Sequence, residues 1–351
     1  MATIILTGGG TAGHCTPHLS ILPYLKKDFN NIYYIGSENG IEKDIIYNVK
    51  IPYYSIPCAK LYRSLKLDNF TMPFKVGAGI IKAGKILDKL KPDVIFSKGG
   101  YVSVPTVIAA QKRKIPVIAH ESDYTIGLAN KLTSKYCKKV LTSFIDTANT
   151  IKNGEFVGPP IRKSLTSISK KDALDYFRFN GKKPVLLITG GSQGSKAIND
   201  AINKSLPELL SKFDVIHICG KNNLVKENSQ KGYFQAEFLN KMEYALNAAS
   251  VCVSRAGSNT LFELLSLKIP CLLIPLPKGN SRGDQVLNAE YFQKLGLVHV
   301  LPQNVLTPKS LTTAINSTFN NKDNFIKNLT KNPICDSSKN IAKILASYIS
   351  L

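Results

Sequence analysis

Two glycine-rich segments, each directly after a short apolar run, are the parts of the sequence best suited to chemistry. The first is GGGTAG at residues 8–13, followed by His14, and the second is GGSQGS at residues 190–195. Backbone N–H groups in such turns bind phosphate without side-chain bulk, and a following helix adds the positive end of its dipole. We therefore expect phosphorylated ligands at both turns, with the titratable His14 at the mouth of the first. The alternative is a tight strand–helix connection in which His14 only caps the helix.

The first turn also has the spacing of a dinucleotide fingerprint. Gly8-x-Gly10-x-x-Gly13 fits it, and Glu38 follows the second predicted strand, where a ribose-binding acid would lie. An NAD(P)-dependent oxidoreductase is therefore one interpretation. The second turn breaks the fingerprint, however, and a single dinucleotide would not need it. Two such turns suit a sugar nucleotide that reacts with a second phosphorylated substrate.

A third segment, SRAGSNT at residues 254–260, leads into a predicted helix that carries Glu263. In one interpretation the helix N-terminus holds a pyrophosphate while Glu263 accepts hydrogen bonds from ribose hydroxyls. In the other, Thr260-x-x-Glu263 is a capping box and needs no ligand. The spacing alone does not separate these two interpretations.

Short apolar runs that alternate with helical patterns must position these segments. Two longer stretches, residues 16–26 and 106–113, read as helices. The runs that read as buried strands are residues 3–7, 32–35, 94–97, 117–120, 140–143, 185–189, 215–219, 251–254 and 271–275. Such alternation predicts an α/β fold of parallel sheets covered on both faces. Ligands bind at the carboxyl ends of strands in these sheets, so both turns are expected to open into one cleft.

The two halves of the chain repeat one pattern, since TIILTGGGTAGH in the first is answered by PVLLITGGSQGS in the second. We read residues 1–160 and 161–336 as two similar doubly wound domains. Residues 153–164 (NGEFVGPPIRKS) have the composition of a linker. Apolar residues between 341 and 349 follow helical spacing after Ser337 and Ser338, which predicts a C-terminal helix.

Composition excludes several classes of protein. The chain has 351 residues, 44% of them hydrophobic, which argues against disorder, and no apolar run reaches the ~18–20 residues of a membrane-spanning helix. MATIILTGGG reads as a first strand and not as a signal peptide. The seven cysteines show no C-x-x-C spacing, so neither disulfides nor a zinc site is expected. A reducing cytoplasm is the expected compartment.

The formal charge of +22 indicates a polyanionic partner. A nucleic-acid-binding protein is a third interpretation, weakened by the lack of any recognisable binding signature. Residues 60–91 combine eight Lys or Arg with two acids and with apolar side chains such as Phe74. This pattern favours a membrane-surface element. Ile80, Ile81, Ile86 and Leu87 also fit the core side of an ordinary surface helix, which is the preferred reading for those four.

Seven segments in this order resemble the MurG family of UDP-N-acetylglucosamine transferases. They are GGGTAGHCTPHLS, KGGYVSVPTVIAA, HESDYTIGLANK, VGPPIR, GGSQGS, SRAGSNTLFELL and GDQVLNA, and together they span nearly the whole chain. The resemblance implies a GT-B fold of two Rossmann-like domains, with the C-terminal helix (residues 337–351) packed back on the first. It implies inverting transfer of N-acetylglucosamine from UDP-N-acetylglucosamine to the muramyl 4-hydroxyl of lipid I, giving lipid II. It also implies a peripheral protein on the cytoplasmic face of an anionic membrane.

The resemblance further implies individual roles. His14 is the candidate base or acceptor-positioning group, with Glu121 in reserve. The residues implied to bind the donor are Thr11, Ala12, Gly13, Asp123, Arg162, Ser192, Leu239 (through its backbone to uracil), Glu263 and Gln285. Two positions depart from many relatives, because Ala12 replaces a glycine and HESD replaces HEQN. Asp123 then stands where an asparagine helps to hold the donor, and an acid near a pyrophosphate is electrostatically unfavourable.

Charge governs the expected mechanism. Departure of UDP leaves extra negative charge that the protein must stabilise. The chain has no Asp-x-Asp motif for a magnesium ion, so no metal and no cofactor are expected. Helix N-termini, loop amides and Arg162 would take that role. A general base is worth about 10²–10⁴-fold, and histidine has an unperturbed pKa near ~6.5.

Overall fold

The computed structural model describes residues 1–59, 68–191, 194–225, 230–279 and 282–349; for residues 68–71 it describes the backbone only. The chain divides into two compact units. The first contains Met1–Arg162 and Asp336–Leu351, and the second contains Lys163–Cys335. In the described residues each unit is built around one parallel sheet.

The first unit has a seven-stranded sheet with helices between successive strands. Its strands are β1 (Thr3–Thr7), β2 (Asn31–Ser37), β3 (Tyr53–Ile56), β4 (Val94–Ser97), β5 (Val117–Glu121), β6 (Lys139–Thr142) and β7 (Gly154–Phe156). Its helices are α1 (Thr16–Asp28), α2 (Ile41–Asn48), α3 (Asp68–Leu90), α4 (Ser103–Lys112), α5 (Leu128–Thr133) and α6 (Ile145–Asn149). The strand order is β3-β2-β1-β4-β5-β6-β7, so the topology reverses between β1 and β4. That reversal leaves a ligand-accepting crevice at the carboxyl ends of these two strands.

The second unit repeats this plan with six described strands. They are β8 (Val185–Thr189), β9 (Asp214–Ile218), β10 (Tyr233–Ala236), β11 (Val251–Ser254), β12 (Cys271–Leu273) and β13 (His299–Val300). The helices are α7 (Lys170–Tyr176), α8 (Lys196–Lys212), α9 (Met242–Ala248), α10 (Ser258–Ser266), α11 (Asp284–Lys294), α12 (Pro308–Asn320) and α13 (Lys322–Lys331). The order β10-β9-β8-β11-β12-β13 reverses between β8 and β11. The turn at residues 190–195 and the segment at residues 255–257 follow these two strands.

Alternation along the strands builds a core on each face of the first sheet. Ile4 and Leu6 of β1 pack into one apolar cluster, and Ile5 between them packs into another. The C-terminal helix α14 (Ser338–Ala346) belongs to the first unit, because its Ile341 and Leu345 are fully buried in the same cluster as Ile4. Every residue of β1 is buried, as a parallel strand with helices on both faces requires.

All nine predicted strands are present, with ends within two residues of the prediction. The linker prediction for residues 153–164 is wrong at its start, because Gly154–Phe156 forms β7 and pairs with β6. Ser337 stands at the N-cap of α14, but its side chain makes no capping hydrogen bond to the helix. Its hydroxyl donates instead to the carbonyl of Gly158, at 2.9 Å.

Three buried histidines make the stability of the fold sensitive to acid. Burial lowers the pKa of His18 to about 3 and that of His217 to about 4, and it lowers the pKa of His120 well below its usual range. Unfolding restores values near 6.5, so below that pH the unfolded chain binds more protons and the free energy of unfolding falls. The stability that these neutral histidines contribute is fully present above pH 6.5. It is lost as the pH falls toward their lowered pKa values of about 4 for His217 and about 3 for His18.

When the pH is lowered from 7.5 to 5.0, we expect protonation of His18 in the unfolded chain to lower the free energy of unfolding by about 2 kcal/mol. The slope is about 1.36 kcal/mol for each pH unit below 6.5. Urea unfolding of the native protein and of His18→Phe at both pH values measures this contribution. His18 lies edge-on to Tyr34 and Phe96, so phenylalanine fits its surroundings. The variant should lose about 2 kcal/mol less than the native protein; an equal loss would show that His18 is not neutral in the fold.

Candidate active site

Two loops at the carboxyl ends of β1 and β4 pack against each other. A Cβ added at Gly10 would lie 2.5 Å from Cε1 of Tyr101, and one added at Gly100 would lie 2.8 Å from Cδ2 of His14 and collide with the Gly9 carbonyl. Both glycines also have positive φ, +87° and +75°. Only glycine allows this approach. The packing holds the His14 ring against the second loop.

A buried carboxylate fastens the first loop to the protein. Glu42, at the start of α2, is fully buried, and its Oε2 accepts a hydrogen bond from the backbone N–H of Gly10 at 3.1 Å. Its Oε1 accepts from the N–H of Ser37 at 3.1 Å and also from the Ser37 hydroxyl. One N–H of the turn is therefore bonded within the protein and is not left for a phosphate. Glu38, the acid that a dinucleotide would require, is exposed and lies 3.5 Å from Nζ of Lys82. Neither observation favours an oxidoreductase.

The first loop reaches α1 through a short 3-10 turn. The turn covers Ala12–His14, and Cys15 occupies the N-cap of α1 without a capping hydrogen bond from its own side chain. His14 therefore precedes the N-cap position and belongs to the turn. Ala12 is not among the described residues with positive φ, so its backbone conformation suits alanine and does not require glycine. Thr11 is exposed, and Ala12, Gly13 and His14 are half-buried.

Glu121 organises the loop that follows β5. Its Oε1 accepts from the backbone N–H groups of Ser122 and Asp123, at 3.0 and 3.1 Å. Its Oε2 accepts from the N–H of Gly127 at 2.8 Å and from Nδ2 of Asn130 at 2.9 Å. Both oxygens are thus engaged and the side chain is 5% exposed. This geometry favours a structural role for Glu121, which holds the loop through hydrogen bonds, over the role of a base, and it places Asp123, half-buried, beside it.

A buried lysine links the ends of β4 and β5. Lys98 directly follows β4, and its Nζ lies 2.6 Å from Nδ1 of His120 and 2.6 Å from Oγ of Ser122. When Lys98 is an ammonium it donates both bonds, which favours the His120 tautomer with its proton on Nε2, the nitrogen that lies 3.5 Å from the Gly158 carbonyl. This contact gives His120 a structural role.

The second unit carries the corresponding loop at the end of β8. Gly194 has a φ of +73°, and a Cβ there would collide with the carbonyl of Cys219. Ser195 is the N-cap of α8, and its hydroxyl accepts from the N–H of Ile198 at 3.4 Å. The start of a 17-residue helix therefore points its N–H groups toward the carboxyl edge of the sheet. Ser192, implied to bind the donor, lies outside the described residues.

Arg255 follows β11 and fixes this loop from the neighbouring strand. Nη2 donates to Oγ of Ser195 and to Oε1 of Gln303, both at 2.6 Å, and Nη1 donates to the carbonyl of Ile274 at 2.9 Å. The residue is 8% exposed, and burial lowers the pKa of its guanidinium. All three of these acceptors, which belong to described residues, are neutral oxygens. A buried cation so placed favours an anionic ligand at this edge.

Helix α10 begins at Ser258, with Gly257 at its N-cap and no side-chain cap. Thr260 is therefore inside the helix, and the capping-box interpretation of Thr260 and Glu263 is wrong. Glu263 is half-buried in the second turn of α10. Its position leaves the ribose-binding interpretation as the expectation for this carboxylate.

The remaining candidates lie in several elements. Gln285, in the first turn of α11, accepts a hydrogen bond at Oε1 from the N–H of Leu276 at 3.0 Å. Leu239 is buried in the segment after β10, and Arg162 is half-buried at the end of the first stretch of the first unit. Thr11–His14 and Asp123 belong to the first unit, whereas Leu239, Glu263 and Gln285 belong to the second.

Sequence reasoning missed three residues that shape these loops: Glu42, Lys98 and Arg255. Lys98 and Arg255 had a usable signal, since each is a cation directly after a buried, mainly apolar strand that ends in serine, and before small residues. A charge in that position must be buried with a partner or directed at a ligand. Glu42 had no such signal, because it lies on an ordinary amphipathic helix. Among the residues that the structure describes, no three His, Cys, Asp or Glu side chains are grouped to hold a metal ion.

Comparisons with known proteins agree on one family. The model of the glycosyltransferase family 28 N-terminal domain matches residues 4–142, and that of the family 28 C-terminal domain matches residues 185–345. A relative from Clostridium botulinum (strain 657) is 48% identical over 99% of both chains, and one from Clostridium kluyveri is 47% identical over 99% of this chain and 100% of its own. Both are named UDP-N-acetylglucosamine–N-acetylmuramyl-(pentapeptide) pyrophosphoryl-undecaprenol N-acetylglucosamine transferase. The chain belongs to the MurG family.

Solved structures place the MurG-family chain among GT-B glycosyltransferases. MurG of Acinetobacter baumannii matches with a TM-score of 0.76 at 21% identity, covering 99% of this chain and all of that one. The calicheamicin glycosyltransferase CalG4 matches at 0.69 and 13% identity, covering 99% and 98%. At these identities the likeness shows the fold alone. The predicted fold of two parallel-sheet domains is confirmed.

Proposed function

We propose that this chain transfers N-acetylglucosamine from UDP-N-acetylglucosamine to the muramyl 4-hydroxyl of lipid I, with inversion, to give lipid II. The observation that carries the proposal is the 47–48% identity, over 99% of the chain, to relatives that bear the name of this transferase. Neither the oxidoreductase nor the nucleic-acid interpretation finds support in the comparisons.

The second unit would bind the donor. The N-termini of α8 and α10 and the guanidinium of Arg255 meet at the carboxyl edge of its sheet, where they favour a diphosphate. Glu263 would accept hydrogen bonds from the ribose hydroxyls, and the backbone of Leu239 would meet the uracil. These groups would stabilise the departing UDP where its negative charge develops.

The first unit would present the acceptor. His14 is held against the Gly99–Gly100 loop, so its ring has a fixed position near the carboxyl end of β1. A positioned imidazole can take the proton of the 4-hydroxyl as that oxygen attacks the anomeric carbon. Glu121 would act indirectly, by holding the loop that carries Asp123.

A transfer assay tests the proposal. The protein is incubated with labelled UDP-N-acetylglucosamine and a lipid I analogue, with and without EDTA, and the lipid fraction is counted. We expect a labelled lipid product whose yield changes less than twofold with EDTA. Hydrolysis of the donor without labelled lipid would exclude lipid I as the acceptor, and abolition by EDTA would refute the metal-free mechanism.

We further propose that one face of α3 docks on an anionic membrane. Phe74 and Ile81 are 81% and 65% exposed and lie seven residues apart, so they share a helix face with exposed lysines on either side.

The core-side prediction holds for Ile86 and Leu87, which are buried, and for Ile80, which packs against the core, but it is wrong for Ile81. Residues 60–67 and the side chains of residues 68–71 lie outside the described residues. No helix that the structure describes has the length and apolar character to cross a bilayer.

Charge reversal on this face should release the protein from vesicles. Lys75, Lys82 and Lys85 changed together to Glu should abolish sedimentation with phosphatidylglycerol-containing vesicles, since each basic residue near such a surface contributes about 1 kcal/mol. The matched control changes Lys170, Lys171 and Lys204, which are exposed in the second unit, to Glu and alters the net charge equally. Equal loss in both variants would mean that net charge, not this face, governs binding.

A further inference from the structure

Asp123 lies at the carboxyl edge of the first sheet, in the unit proposed to present the acceptor, and an acid there works against the binding of anionic substrates. Two carboxylates lie two residues apart here, Glu121 as the last residue of β5 and Asp123 in the loop that follows, and the backbone N–H of Asp123 donates to Oε1 of Glu121. Uncompensated, they would repel any anionic ligand. A compensating charge is therefore expected nearby.

Lys98 supplies a positive charge at this place. Its side chain is 2% exposed, and burying an ammonium is costly unless it is paired and hydrogen-bonded. The titratable groups that face it are His18, His120, Glu121 and Asp123. Both histidines are neutral because burial lowers their pKa, so the carboxylates are its charge partners. Burial lowers the pKa of Lys98 to about 7, and Glu121 and Asp123 act in the opposite direction.

The position of Lys98 couples this charge to the substrate-facing loops. It directly precedes Gly99 and Gly100, whose positive φ values of +77° and +75° make the loop that packs on His14. Its hydrogen bonds run to His120 and Ser122, on either side of Glu121. The Lys98 side chain therefore connects the β4 loop to the β5 loop, and its charge interacts with the carboxylates of Glu121 and Asp123.

We propose that Lys98 is a positioning residue whose buried ammonium is the counter-ion of Glu121 and Asp123, which lets Asp123 stand in the loop after β5 of the unit that presents the acceptor. The proposal rests on the proposed transferase function for its kinetic consequences. With Lys98 protonated, the three groups together carry one net negative charge; without it they carry two. Lys98 thus acts through Asp123 and the two loops and does not itself touch the substrate.

A double-mutant cycle on kcat/KM tests the coupling. Lys98→Gln keeps a hydrogen-bond donor but removes the charge, and we expect it to lower kcat/KM about 10- to 100-fold, mainly through a raised KM. In the Asp123→Asn background the same change should cost less than threefold. Lys98→Met, which keeps the volume but no hydrogen bond, should follow the same pattern with a larger residual loss. Lys139→Gln, which removes a lysine of the exposed pair with Glu155, is the matched control and should leave kcat/KM unchanged.

A second readout does not depend on the reaction. In thermal unfolding without substrate, Asp123→Asn should lower the Tm by about 2 °C when Lys98 is present and raise it in the Lys98→Gln background. An equal kinetic loss in both backgrounds, or a Tm shift of the same sign in both, would overturn the counter-ion role. Absence of transfer by the native protein would refute the proposed function instead, and the Tm cycle would still decide the pairing.

Discussion

Replacing His14 with alanine should lower kcat by about 10²–10⁴-fold while changing the KM for UDP-N-acetylglucosamine less than threefold. The loss has this size because a positioned general base contributes that factor. The donor KM is spared because the groups proposed to hold the diphosphate, ribose and uracil of the donor belong to the second unit, whereas His14 is fastened by packing against Gly100 in the first. A side chain that acts only on the acceptor should leave donor binding intact.

Steady-state kinetics with each substrate varied in turn measures this effect. His299→Ala is the matched control, because His299 is half-buried in the second unit, where Nδ1 contacts the Thr318 hydroxyl at 2.8 Å. It should retain activity within about threefold. A His14→Ala variant with normal kcat and a raised donor KM would contradict the assignment and make His14 a donor contact.

Replacing Arg255 with methionine should lower kcat/KM by about 10²–10³-fold and weaken UDP binding. The guanidinium joins Ser195, at the N-cap of α8, to Gln303 and to the carbonyl of Ile274, and it is the buried cation of this edge. Its removal takes away positive charge where the leaving group becomes more negative, and the loss of one such fixed donor in other enzymes costs this factor. Methionine fills the space without charge.

Isothermal titration with UDP and transfer kinetics together test this prediction. Arg178→Met, an exposed arginine of the same unit, removes the same charge from the surface and should change neither quantity. A loss of thermal stability with normal UDP affinity in the folded fraction would assign Arg255 a purely structural role. Equal effects of both substitutions would point to long-range attraction and not to a local site.

The interior of both sheets was predictable, whereas their edges were not. The nine predicted strands are the central ones, mostly buried on both faces and therefore mainly apolar. The four missed strands, β3, β7, β10 and β13, are the two edges of each sheet. Their residues are mostly half-buried, so their sequences mix polar and apolar side chains without a clear period. Edge strands of this kind have no pattern that a single sequence can distinguish from a loop.

The glycine turns were predictable for a different reason. Gly10, Gly100 and Gly194 occupy positions where a Cβ would overlap a neighbouring backbone or ring, so the requirement is visible in the residue type itself. The groups that fasten those turns were not predictable, because the partners of Glu42 and Lys98 lie at separations such as 32 residues to Gly10 and 22 to His120. Such pairs form because of the strand order, and the strand order cannot be deduced from a single sequence.

The ambiguity at Glu263 shows what local spacing cannot decide. Thr260-x-x-Glu263 has the sequence pattern of a capping box. However, α10 begins at Ser258, two residues before Thr260, and its N-cap is Gly257. A helix start depends on where the preceding strand ends and how the chain turns, and β11 ends at Ser254. The three residues that follow are Arg255, Ala256 and Gly257, and the last of them stands at the N-cap without a side-chain cap, which leaves the helix end open to a ligand.

The location of the UDP diphosphate in a crystal of the protein with UDP tests the central claim most directly. Our account predicts phosphate oxygens at the carboxyl edge of the second sheet, within hydrogen-bond distance of amides at the start of α8 or α10 and within reach of Arg255. Density for the diphosphate at the turn of residues 8–13, where Glu42 already holds the N–H of Gly10, would contradict it.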